Sequence, residues 1–104
     1  MPLASIGLLP MPPSSPVQGF VCQAARHLLN VTQEWLCGMA KVSRKTINDF
    51  EKGAITPGAG INSRLRQALE KAGASFVSGD GVLGVVVYSP IDQEPRSQKG
   101  SERN

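Results

Sequence analysis

The stretch from Gln33 to Gly53 constrains this chain more than any other, because it reads as two short helices meeting at a sharp corner. Thr32 can cap a helix whose inward face carries Leu36, Met39 and Ala40, and Ser43 can cap a second whose inward face carries Ile47 and Phe50. Only Lys41 and Val42 connect them, too short a link for the helices to separate. Val42 is the apolar plug where they cross, which is how a helix-turn-helix is built.

The charge at the start of the second helix separates this unit from a generic helix pair. Arg44 and Lys45 occupy the first turn, where the helix dipole is positive and each cation is unfavourable by roughly 0.3 to 1 kcal/mol. A helix with only a structural role would more often place Asp or Glu there. The two cations are explained by an external anion beside that helix end, such as a phosphate or the acceptor edge of guanine.

In type and spacing, Gln33, Leu36, Val42, Ser43, Thr46, Ile47, Glu51 and Gly53 resemble the helix-turn-helix of the Cro and phage-repressor type, the XRE family of bacterial regulators. The resemblance extends to Arg26, standing where that family often has an arginine paired with the glutamate at Glu51, and to Pro57. It covers about Val17 to Gly73. It implies a mainly α fold, a compact four-to-five-helix phage-repressor-like domain, with the strand-like segment after it as a short C-terminal β extension. Two positions depart from the pattern. Lys41 stands where the family usually has a glycine free to take positive φ, and Cys37 stands where it usually has alanine. Lysine at that turn implies mild strain, whereas cysteine behaves as a small buried hydrophobe.

At 104 residues the chain has room for one domain. Aromatic residues are only 5%, so the expected core is small and aliphatic, and a stretch of about 60 residues is marginal by itself. Net charge is +3, unevenly distributed. Between Val17 and Ser75 eight Lys or Arg stand against four Asp or Glu, whereas Phe76 to Asn104 has three against four. The positive excess therefore lies on the helical part, which suits a polyanion.

Met1 to Pro16 carries five prolines, which forbid a regular helix, so residues 1–16 read as a flexible Pro-rich arm. Residues 17–75 form the helix-turn-helix domain. Its first helix is expected over about Val17 to Leu29 with Phe20, Val21, Ala24, Ala25, Leu28 and Leu29 facing inward, ended by Asn30. Its fourth is expected over about Ala59 to Ala72, with Ile61, Leu65, Ala68, Leu69 and Ala72 inside and Arg64, Arg66 and Lys71 on a solvated face, stopped by Gly73. Residues 76–88 read as two strands around Ser78-Gly79-Asp80-Gly81, because β-branched residues dominate and glycines punctuate. The run Val85 to Tyr88 would leave an apolar edge exposed, and pairing with the same strand of a second subunit would cover it. A homodimer through this region is expected, against the alternative of packing on the chain's own helices. Residues 89–104 are polar and read as a disordered tail.

No catalytic constellation is present. The sequence has no nucleophile elbow, no phosphate-cradling glycine loop and a single histidine, His27, so an enzyme is not expected. Cys22 and Cys37 lack metal-ligand or disulfide spacing, so neither metal nor cofactor is expected. No apolar run is long enough for a membrane span, and no Lys or Arg precedes Arg26. A cytoplasmic protein is expected, and the resemblance implies a bacterial one, nucleoid-associated when bound.

For double-stranded DNA the helix over residues 44–52 would enter the major groove. Arg44 and Lys45 would contact bases or nearby phosphate, Arg holding guanine O6 and N7 together, and Asn48 would address adenine. Thr46 would meet a thymine methyl or pack. Gln33 and Ser43 would donate to phosphates, while Lys41 and Lys52 add charge. Asn62 and Ser63, by the resemblance, are weaker phosphate candidates. Each has a plainer reading: Ser43 caps a helix whatever the function, and Lys52 is ordinary surface charge. Asp49 would either read cytosine or repel phosphate. The expected function is sequence-specific transcriptional regulation, with repression by promoter occlusion as the default. The competing class is a protein-interaction or antitoxin-like module on the same scaffold.

Overall fold

A computed structural model describes residues 7–79 and 81–88. In chain order the elements are β1 (Leu9–Pro10), α1 (Gly19–Leu29), α2 (Gln33–Ala40), α3 (Arg44–Glu51), α4 (Ala59–Lys71), β2 (Ala74–Gly79) and β3 (Val82–Val87). The strands form one antiparallel sheet in the order β1-β2-β3.

The corner at residues 41–43 forms as its residues dictate. The Thr32 hydroxyl accepts from the Trp35 N–H at 2.9 Å, and the Ser43 hydroxyl from the Thr46 N–H at 3.1 Å, so both helices are capped by their own side chains. α2 ends at Lys41, φ 60°, whose N–H returns to the Cys37 carbonyl at 2.9 Å. Lysine thus holds the left-handed conformation that glycine adopts freely. Val42 is buried between the helices. Around it, Leu36, Ile47, Leu65, Leu69 and Phe76 are the largest fully buried apolar side chains, joining α2, α3, α4 and β2 in one core. Each contributes about 1.5 to 3 kcal/mol relative to exposure.

α1 crosses α3 very closely. A side chain at Gly19 would run into the Phe50 carbonyl, so the crossing needs a residue without Cβ. α4 is followed by Gly73, φ 118°, and β2 begins at the next residue.

The fold class differs from the mainly α, phage-repressor-like expectation. Among the described residues four helices are joined by a three-stranded sheet, an α+β arrangement, and the third strand comes from the proline-rich segment. Leu9 pairs with Ser78 and Pro10 with Val77, and the Met11 N–H donates to the Phe76 carbonyl at 2.8 Å. Repeated proline excludes a helix but not a two-residue strand at a sheet edge, where a missing N–H does little harm. Within residues 7–16 the chain pairs with the sheet at Leu9 and Pro10 and buries Met11 in the core, while most of the other side chains stay exposed. Residues 1–6, Asp80 and the expected tail over 89–104 lie outside the described residues.

Three helix faces also differ. On α1 the inward arc is Val21, Cys22, Ala25 and Arg26, which turns Phe20 and Leu28 out to 61% and 57% exposure. Ala24 is exposed as well. The arc is rotated because Arg26, polar in sequence, is drawn inside by a buried partner. On α2 Met39 is exposed. On α4 Ala72 is exposed, but Arg66 is buried. Its guanidinium donates to the carbonyls of Met11 (2.7 Å), Pro12 (2.7 Å) and Ser15 (3.1 Å), its Nε to Glu70 (2.9 Å), and it lies 5.7 Å from the Phe76 ring centre.

Candidate nucleic-acid interface

The outer surface of α3 rests on a buried ion pair beneath it. Arg26 donates through Nε to Glu51 Oε2 at 2.9 Å and through Nη2 to Oε1 at 2.8 Å, and its Nη1 reaches the Val31 carbonyl at 3.1 Å. Both side chains are buried. This fork-to-fork contact ties the last residue of α3 to α1 and fixes how α3 is turned. Burial pushes the Glu51 carboxyl up. Hydrogen bonds from Arg26 and then Gln33, with the Arg26 charge, outweigh burial and hold it below its ordinary value. The Glu51 hydrogen bond likewise raises Arg26 despite its burial. Beside the pair, the Cys22 thiol is pushed up to about 12, first by burial and then by the Glu51 charge. It is a neutral core group at ordinary pH.

Above this pair, Gln33, Arg44, Lys45, Asn48 and Asp49 line a shallow open groove of about 440 Å³. A second concavity of about 570 Å³ adjoins it, sharing Gln33 and Arg44 and extending to His27, Asn30 and Thr32. Arg44 is exposed and enters no ion pair among the described residues. Lys45, equally exposed, is paired one helical turn on with Asp49 at 2.9 Å, and that hydrogen bond raises its pKa. The free positive charge at the groove is therefore carried by Arg44.

The remaining sequence candidates divide. Gln33 is half-buried, and its amide nitrogen donates to Glu51 Oε1 at 3.1 Å and Asn48 Oδ1 at 3.4 Å, so it braces α3 as well as lining the groove. Asn48 has its oxygen engaged by Gln33, and gripping adenine through both amide atoms requires giving up that long contact. Ser43 and Thr46 bond to each other at 2.9 Å at the amino end of α3. Lys52 caps the opposite end, about 12 Å along the axis from Arg44, and lies outside the groove.

Outside α3, Asn62 is not free for phosphate, since it is buried and holds both the N–H and the carbonyl of Val17 at 2.8 Å. Ser63 accepts from Gln67 at 3.2 Å. Arg64 reaches across to the Lys41 carbonyl at 3.2 Å and braces the corner. Asp49, expected either to read cytosine or to repel phosphate, is instead the ion-pair partner of Lys45, four residues before it, at the spacing of a helical ion pair. Among the described residues no group of His, Cys, Asp or Glu could hold a metal ion, and no helix is long and apolar enough to cross a membrane. No protein-family model matches the chain, and no curated protein sequence matches it significantly.

Proposed function

We propose that this chain is a sequence-specific DNA-binding transcriptional regulator of the helix-turn-helix kind, acting as a repressor by occluding its operator. The observation carrying this reading is the exposed Arg44 guanidinium, in no ion pair among the described residues, at the amino end of an outward-facing α3. There it is electrostatically unfavourable in isolation and well placed for guanine O6 and N7. The resemblance of about Val17 to Gly73 to XRE regulators supports the same assignment. Arg44 reads a base edge, Asn48 and Lys45 lie alongside, and Ser43 and the start of α2 meet phosphate. A homodimer through the C-terminal strands would present two such helices roughly 34 Å apart to a near-palindromic site.

The test is selection of genomic fragments by the purified protein with salt titrated in parallel. Enrichment of a palindromic sequence with steep salt dependence is expected. Arg44→Ala should weaken specific binding by about 1 to 3 kcal/mol and relax the sequence at one position. Retention that is weak and indifferent to sequence would overturn the reading. The competing interaction-module reading is favoured by one observation, the Asp49 carboxylate that neutralises Lys45 inside the groove. It predicts that Arg44→Ala leaves retention unchanged.

A further inference from the structure

Between the amino end of α1, the carboxyl end of α3 and the loop that follows it lies a cavity of about 350 Å³, within the range of about 300 to 1,000 Å³ that holds small molecules. Its frame is fixed by contacts within the chain. Val17 is held at both its N–H and its carbonyl by Asn62, and Gly19 sits so close to α3 that a Cβ there would meet the Phe50 carbonyl. Gly53, φ 81°, turns the chain away from α3, and Ile55 and Pro57 in the loop make the far wall.

The walls are mainly apolar. Phe20 and Ile55 line the cavity yet are 61% and 40% exposed, so each presents a large apolar side chain at its rim. Two of the polar lining residues are already consumed, the Asn62 amide by Val17 and the Glu51 carboxylate by Arg26, Gln33 and Cys22. Lys52 is the lining residue whose charge is left over, exposed and in no ion pair among the described residues. Gln18 precedes α1 without a side-chain capping bond, and the first turn of α1 has no acidic residue, so the helix end that lines the cavity also favours negative charge.

We infer that this cavity binds a small aromatic monocarboxylate, its ring system against Phe20, Ile55 and Pro57 and its carboxylate beside the Lys52 ammonium. A ring takes the two exposed rim side chains out of water, where the gain follows the apolar area covered. One negative charge matches the one cation that the lining leaves uncompensated. Lys52 also complements the carboxyl end of α3 whatever binds, so its part is read by comparing a charged with a neutral ligand. Binding here requires nothing of DNA, and its failure leaves the regulator reading standing.

The test is calorimetric titration of the full chain at neutral pH with 2-naphthoate and with its neutral counterpart 2-naphthamide, together with a map of amide chemical shifts. Saturable one-to-one binding of naphthoate is expected, with shifts gathered at the cavity residues 16–20 and 50–57. Lys52→Met should weaken naphthoate about fivefold and leave naphthamide unchanged. Phe20→Ala should weaken both about tenfold, since ring contact is lost whatever the head group. Both side chains are exposed, so neither substitution threatens the fold, and the shift map needs no variant. Failure of naphthoate to bind, equal affinity for naphthoate and naphthamide in the wild type, or shifts centred on Gln33 and Arg44 would overturn the inference. So would cavity shifts that follow protein concentration rather than naphthoate, the mark of a second copy as occupant.

Discussion

The Arg26–Glu51 pair shows what a single buried contact does for the seating of α3. Both partners are removed from water, so cutting either leaves the other as an uncompensated charge. Glu51→Ala or Arg26→Ala should destabilise the protein by about 3 to 5 kcal/mol in chemical denaturation. Because the folded state holds the Glu51 carboxyl below its ordinary value of 4.5, the unfolded chain binds more protons there. The pair's contribution is complete above about pH 5 and is lost as pH falls through the lower folded value. Denaturation midpoints measured against pH should show this acid loss in the wild type, and Glu51→Gln should flatten it. The pair was legible from the spacing of Arg26 and Glu51 against a known pattern. Arg66 was not, because it has the same charge and helical position as solvated neighbours, and only the arrival of the Met11, Pro12 and Ser15 carbonyls distinguishes it.

At the scale of elements, the corner between α2 and α3 holds a lysine where the backbone asks for glycine. Lys41 at φ 60° carries a left-handed penalty of roughly 1 to 2 kcal/mol, partly offset by glycine's greater freedom when unfolded. Lys41→Gly should therefore raise stability by up to about 1 kcal/mol, read as a higher denaturation midpoint with an unchanged slope. The proline-rich segment offers a second element-scale prediction. Arg66 supplies three hydrogen bonds that hold residues 11–15 against α4 and β2, so Arg66→Met should release that segment. A loss of about 1 to 3 kcal/mol is expected, with faster amide exchange at Met11. Helix positions and caps were readable because Thr32, Ser43, Asn30 and Gly73 act on their immediate neighbours. The helix faces were less so. Periodicity assigns Phe20, Leu28 and Met39 to the interior, but α1 is turned by the buried charge at Arg26, which no apolar pattern encodes.

For the whole molecule, the difference between the expected and observed fold lies in one connection. Chain-local chemistry foresaw the hairpin of β2 and β3 but not that Leu9 and Pro10 pair with Ser78 and Val77 of β2, at the far end of the described chain. Sequence by itself determined the α2–corner–α3 unit, the caps, the strand pair and the placement of Arg44 and Lys45 at a helix start, because each depends on residues a few positions apart. Tertiary structure alone decided that Arg66 and Arg26 are interior and that Asn62 is consumed by Val17. These outcomes depend on which backbone carbonyls, carboxylates and strands meet after the chain has closed on itself. Hydrogen bonds between segments far apart in sequence leave no periodicity for the eye to read.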